Sequence, residues 1–146
     1  MLGQVLAKAA AEDELEVEAL TKNLPMVLGF IDSHLEAADC PLRAMMQIDV
    51  AVEEIFVNIA HYAYAPDTGM AWIRVETGGD PHGVTITFID KGMHYDPLAK
   101  EDPDVTLSAE ERKIGGLGVF LVKNTMDDVT YKYVDGHNIL SIRKNF

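Results

Sequence analysis

Three groups of residues combine acids, amides and glycines at spacings that could do chemistry. The first group is Glu54 and Asn58, which stand four positions apart in "AVEEIFVNIAHYAY" (51–64). On a helix, side chains four apart share one face. A carboxylate beside an amide oxygen can act as a base next to a hard cation such as Mg²⁺, which prefers oxygen ligands. A solvated helix face is the plainer interpretation, and the pair alone leaves both open.

The second group lies in "FIDKGMHYDP" (88–97), where Asp90 ends an apolar stretch and Gly92 follows two residues later. D-x-G is a frequent turn sequence. A carboxylate at the end of a strand can also accept a hydrogen bond from an exocyclic amine. In that interpretation the missing side chain at Gly92 makes room for a flat ring.

The third group is a set of glycines in "KIGGLGVFLVK" (113–123), namely Gly115, Gly116 and Gly118. They run directly into an apolar stretch with helical spacing. A plain turn would account for them. A bound phosphate would account for them as well, because backbone N–H groups at a helix N-terminus attract anions and glycine lets a ligand approach closely.

These groups must be positioned by the elements around them, and hydrophobic periodicity predicts those elements. Apolar spacing of three and four predicts helices over 24–39, 42–64 and 116–126. Alternation predicts one strand that begins within 14–23 and further strands over 70–77, 83–90, 128–134 and 137–144. The dipeptide "DG" at 135–136 predicts a hairpin turn between the last two strands. Residues 91–113 form a loop of a length usual for functional or mobile segments. The order of elements predicts an α+β fold, a two-layer sandwich of helices on one face of a mainly antiparallel sheet.

Length and charge narrow the function further. A chain of 146 residues predicts one domain over 1–146, with residues 1–13 either disordered or an extra helix. The net charge of −12 argues against a nucleic-acid or anionic-membrane surface, although a small anion can still be held locally. There is no apolar run long enough for a membrane span and no signal-peptide core. With Cys40 the single cysteine, no internal disulfide can form, and we expect a cytoplasmic protein.

Taken together, E-x-x-x-N, D-x-G and G-x-G before a helix resemble the ATP-binding fold shared by gyrase, histidine kinases and MutL, known as the GHKL or Bergerat-type fold. The resemblance covers nearly the whole chain and also includes "LSAEERKIGGLGVFLVK" and "DGHNILSI". Within this superfamily the chain most resembles the stand-alone anti-sigma regulatory factors, a branch of serine/threonine protein kinases. One departure is His94, which stands where many relatives complete a D-x-G-x-G motif.

The resemblance assigns a role to each matching position. Glu54 resembles the general base and Asn58 the Mg²⁺ ligand. Glu53 would point about 100° away on the same helix, so Glu54 is preferred. Asp90 would recognise the adenine amine, with Gly92 beside the ring. The phosphate-binding loop would be shaped by Gly115, Gly116 and Gly118.

The same resemblance implies an activity and partners. It implies a kinase that uses ATP and Mg²⁺ to phosphorylate a small antagonist of the anti-anti-sigma (STAS) type in a partner-switching module. A sigma factor and a second copy of the chain are further expected partners. The alternative is a nucleotide-dependent interaction module that sequesters its partner without significant kinase turnover. In a third interpretation the glycines only form turns.

Overall fold

A computed structural model of the protein describes residues 13–99 and 116–146. Gly115 and residues 100–113 of the expected long loop lie outside these ranges. The strands are β1 (Glu14–Glu18), β2 (Met70–Gly78), β3 (Gly83–Asp90), β4 (Asp128–Val134) and β5 (His137–Asn145), and the helices are α1 (Leu24–Ala37), α2 (Leu42–Asn58) and α3 (Gly116–Thr125). No helix in the described ranges is both long and apolar enough to cross a membrane.

The five strands form one sheet in the order β1-β2-β3-β5-β4, and every pairing in it is antiparallel. Alternation along β2 shows its two faces, since Ala71, Ile73 and Val75 are buried while Arg74 is exposed. The buried face packs against the helices. The expected α+β sandwich is therefore confirmed, with a sheet that is antiparallel throughout its described strands.

The core between the two layers is built from the apolar stripes of the helices. In α2, Ile48, Val52 and Ile55 are buried, as their spacing predicts. Burying a side chain of this size contributes about 1.5–3 kcal/mol. This stripe fixes the rotation of α2, so that Glu54 and Asn58 lie beside the core rather than in it.

The end of the second helix differs from the sequence-based expectation. The chain is α-helical to Asn58 and then forms a π-helical turn over Ile59–Ala63, where a regular helix to 64 was expected. Tyr64 follows this turn and ties it to the sheet, because its hydroxyl donates to the Met70 carbonyl (2.6 Å) and accepts from the Lys91 N–H (2.8 Å). Such π-helical turns are frequent at functional sites.

Smaller differences occur at two other boundaries. The strand expected to begin in 14–23 ends at Glu18 and is followed by a 3₁₀ turn, Thr21–Asn23. The first helix ends at Ala37, two residues early, and Asp39 adopts a left-handed conformation with φ of 57°. The hairpin turn was predicted correctly, with φ of 51° at Asp135 and 77° at Gly136, as a tight turn between twisted strands requires.

Two carboxyl groups, one on α1 and one on α2, lie side by side away from these turns. Asp32 and Asp49 lie close enough to share a hydrogen bond once one of them is protonated. The Oδ1 atom of each is shielded from solvent and has no hydrogen-bond partner within the described ranges. Burial, the hydrogen bond to Asp32 and the charge of Asp32 together raise the pKa of Asp49 from 3.8 to about 7.

Candidate functional site

A cavity lies between α2, α3 and the inner face of the sheet, and it brings together the predicted residues Glu54, Asn58 and Asp90. Its walls are mainly apolar and aromatic, with a few polar groups, which is typical of ligand sites. The other described lining residues are Ile55, Ile59, Tyr62, Ala63, Phe88, Met93, Tyr95, Pro97, Leu98, Val122, Lys123, Val129, Tyr131, Asn138 and Leu140.

The polar edge of this cavity is formed by α2. Glu54 and Asn58 lie one helical turn apart, and both side chains line the cavity. Glu53, the neighbouring acid, is exposed instead. The structure therefore places the acid preferred from the four-residue spacing at the cavity. An acid and an amide oxygen in this arrangement match the oxygen donors that Mg²⁺ prefers.

Asp90 provides a buried carboxylate at the end of β3, with 4% of its surface exposed. Its Oδ1 atom accepts hydrogen bonds from the Gly92 N–H (2.8 Å) and from Asn138 Nδ2 (3.0 Å). Its Oδ2 atom receives no hydrogen bond from the described residues. The arrangement leaves one carboxylate oxygen able to accept a hydrogen bond from a ligand in an apolar cavity.

The glycine two residues after Asp90 is required by a close contact with the backbone of another element. A Cβ atom at Gly92 would overlap the carbonyl oxygen of Ala63, far closer than such atoms approach. The same carbonyl accepts a hydrogen bond from the Met93 N–H at 2.9 Å. The missing side chain therefore makes room for the π-helical turn, and space for the ring of a ligand stays a prediction.

The glycine-rich stretch leads into the helix that closes the cavity from the other side. Gly116 and Gly118 lie in the first turn of α3, and Gly115 lies outside the described residues. Further along α3, Val122 and Lys123 line the cavity. The first N–H groups of a helix have no partners within it, so this helix start can offer donors to an anion.

The sequence analysis assigned no role to several residues of the site. Asn138 is the clearest example, because it is a buried amide on β5 that faces inward together with Leu140 and Ile142. A polar residue at an inward position of an alternating strand is a signal that could have been recognised. Tyr131, Tyr95 and Lys123 had no comparable signal.

His94, the departure from the D-x-G-x-G motif, contacts β4. Its ring centroid lies 4.5 Å from that of Tyr133 and 6.1 Å from that of Tyr131. It does not belong to the described lining of the cavity. His94 therefore leaves the cavity open and holds the segment after Asp90 against β4.

Comparisons with known proteins agree with this arrangement. A family model described as the histidine kinase-like ATPase domain matches residues 17–144, and the chain belongs to this family. The chain is 26% identical to the serine/threonine-protein kinase BtrW of Bordetella bronchiseptica over 100 residues, which cover 68% of this chain and 70% of that protein. It is also 26% identical to the anti-sigma F factor of Bacillus velezensis over 120 residues, or 82% and 81% of the two chains.

A solved structure shares the fold. The crystal structure of the SiaB–SiaC complex from Pseudomonas aeruginosa matches with a TM-score of 0.58 and 14% sequence identity, covering 100% of this chain and 98% of that chain. At this identity the match concerns the fold alone. It agrees with the sandwich of helices on one antiparallel sheet.

Proposed function

We propose that the protein is a serine/threonine kinase that transfers phosphate from ATP to a small STAS-type antagonist protein. The observation that carries the proposal is that one cavity is lined by Glu54, Asn58 and Asp90, which come from separate parts of the chain. Its relatives support the proposal, since one is named a serine/threonine-protein kinase and another an anti-sigma factor. A sigma factor is the second partner that this relationship suggests.

Asp90 recognises the base in this mechanism. Its Oδ1 is held by two donors, so Oδ2 accepts a hydrogen bond from the amine of adenine. Phe88 and Leu140 provide apolar walls on which a flat base can pack. A hydrogen bond to a charged group contributes about 1.5–3 kcal/mol, enough to orient a ligand.

The phosphate end of the site is formed by α2 and α3. The amide oxygen of Asn58 would hold Mg²⁺, which neutralises phosphate charge when it is bound. N–H groups of Gly116 and Gly118 at the start of α3 stabilise the phosphate oxygens, and Gly115 joins them on the resemblance alone. Glu54 accepts the proton of the substrate hydroxyl while that oxygen bonds to the γ-phosphorus and ADP leaves.

Two substitutions on α2 test these roles. Glu54→Gln keeps the shape and removes the base, so nucleotide binding should survive while phosphate transfer falls by about 10²–10⁴-fold. Asn58→Ala removes a metal ligand, so Mg²⁺-dependent nucleotide affinity should fall as well. Glu53→Gln is the matched control, because this neighbouring acid is exposed and should leave both properties unchanged.

The measurement is transfer of labelled phosphate from ATP to a partner captured from the native cell, beside a calorimetric titration of each variant. Transfer at the wild-type rate by Glu54→Gln would show that Glu54 is not the base. If the wild type binds nucleotide and transfers phosphate to none of its bound partners, the protein is the sequestering module instead. A wild-type protein that does not bind ATP would contradict both functions.

A further inference from the structure

Asn138 lies at the centre of a hydrogen-bond cluster and had no role assigned to it from the sequence. It stands opposite Asp90 in the pairing of β3 with β5, and 7% of its surface is exposed. Its Nδ2 donates to Asp90 Oδ1 (3.0 Å) and to the Met93 carbonyl (2.9 Å). Its Oδ1 accepts from the Tyr131 hydroxyl (2.5 Å) and from the Tyr95 N–H (3.3 Å).

These contacts use the whole hydrogen-bonding capacity of the side chain. An asparagine amide has two N–H donors and one oxygen with two lone pairs, and each of the four is occupied. Burial raises the pKa of Tyr131, which keeps its hydroxyl protonated and able to donate. Asn138 therefore has no donor or acceptor left for a ligand, and it acts on the site only through its neighbours.

The neighbour that matters most is Asp90. Without Asn138, the Asp90 carboxylate would be held only by the N–H of Gly92, two residues along the same chain segment. With Asn138, donors from two directions converge on Oδ1, so the carboxylate is fixed and stays an acceptor. Oδ2 is then the oxygen that meets the base.

We propose that Asn138 is a positioning residue that sets the base specificity of the nucleotide site, selecting purines with an amine at position 6 over those with an oxygen there. The inference rests on the function proposed above. An amine donates to the fixed carboxylate, whereas an oxygen at the same position would place an acceptor against an acceptor. Asp90 makes the contact, and Asn138 keeps Asp90 from turning or taking a proton to accommodate the wrong base.

The test compares the binding of Mg-ADP and Mg-IDP by calorimetry, since the two differ at position 6 of the base. Wild type should prefer ADP by about 10–100-fold, which is the range for one hydrogen bond to a charged group. Asn138→Asp is nearly isosteric and keeps the oxygen that accepts from Tyr131. It replaces the two N–H donors of the amide with a carboxylate oxygen, so that two carboxyl groups lie side by side. One of two adjacent carboxyl groups holds a proton, and when Asp90 carries it on Oδ2 that oxygen can donate to the oxygen of IDP.

The preference of Asn138→Asp should therefore fall to about threefold or less and should vary with pH, which lost packing alone would not produce. Asn145→Asp is the matched control, since it makes the same change on the same strand and Asn145 lies outside the described lining of the cavity. Its Oδ1 accepts from Arg143 Nε, which a carboxylate can also do, so this variant should fold and keep the preference for ADP. If Asn138→Asp does not fold, Asn138→Ala removes the same donors without adding charge and should lose the preference as well.

The outcomes separate this inference from the proposed function. Equal binding of ADP and IDP by wild type, or an unchanged preference in a folded Asn138 variant, overturns the role of Asn138 while nucleotide binding stands. Failure of wild type to bind either nucleotide overturns both. Loss of the preference in Asn138→Asp together with its retention in Asn145→Asp supports the inference.

Discussion

Replacing Asp49 with asparagine should stabilise the protein at neutral and alkaline pH, and the gain should shrink as the pH falls towards 4. In the folded protein the pKa of Asp49 is about 7 against an ordinary 3.8, mainly because of burial and then because of Asp32. Between these two values the folded state holds a proton that the unfolded state has lost. Stability therefore decreases as pH rises from about 4 to about 7, and the loss is complete above pH 7.

The size of the effect follows from the same two values. A difference of about three pKa units corresponds to at most about 4 kcal/mol. Both carboxyl groups are partly exposed, so water screens the interaction, and we expect a loss of about 1–2 kcal/mol. The substituted asparagine cannot ionise, and its amide can donate to Asp32, so the variant avoids this loss. Cys40 is the third titratable group here, and its pKa is raised by burial and then by the charge of Asp49.

The assay is urea unfolding of wild type and Asp49→Asn at pH 5 and pH 8. The variant should gain about 1–2 kcal/mol relative to wild type at pH 8 and about a third of that at pH 5, which lies in the lower part of the range between the two pKa values. Asp67→Asn is the matched control, because Asp67 is an exposed residue of the turn after Tyr64. Taking the difference between variant and wild type removes the contributions of all other acids. A difference that is the same at both pH values would refute the shared proton.

Three further substitutions test the packing of the protein, two of them around the π-helical turn. Gly92→Ala should destabilise the protein by about 1–3 kcal/mol, because the new methyl group would meet the Ala63 carbonyl. Gly29→Ala, on α1 where a Cβ meets nothing within 4 Å, should instead stabilise it by about 0.5–1 kcal/mol. Thermal unfolding measures both, and equal effects would contradict the steric argument. Tyr64→Phe should cost about 0.5–1.5 kcal/mol in urea unfolding, because it removes the hydroxyl that donates to the Met70 carbonyl and accepts from the Lys91 N–H, and an unchanged midpoint would show that water replaces the hydroxyl.

The elements that the sequence predicts well are those with one buried face. Ala71, Ile73 and Val75 alternate with residues on the open face of β2, so the period of two survives in the sequence. The "DG" turn is equally local, because its left-handed conformation depends on the two residues themselves. For the same reason the four-residue spacing was enough to place Glu54 and Asn58 on one side of α2.

The features that the sequence does not reveal depend on contacts between distant segments. The π-helical turn keeps the apolar residues that a regular helix would carry, so the period of three and four cannot reveal its wider winding. The partners of Asn138 come from β3, from the segment after it and from β4. Glycine is needed at position 92 because of the Ala63 carbonyl, which belongs to another element. The residues next to Gly92 in the sequence therefore do not indicate this contact.

The order of strands in the sheet has a consequence for folding kinetics. β3 pairs with β5 rather than β4, so Asp90 and Asn138 meet only when a large loop containing α3 and β4 has closed. Closing such a loop costs more chain entropy than closing the hairpins β2–β3 and β4–β5. The pairing of β3 with β5 is therefore expected to form late in folding. A ligand bound across β3 and β5 would then recognise a surface absent from the folding transition state. In stopped-flow experiments it should slow unfolding and leave the folding rate nearly unchanged. The nucleotide concentration would then set the unfolding rate, and so the lifetime, of the folded protein rather than the rate at which new chains fold.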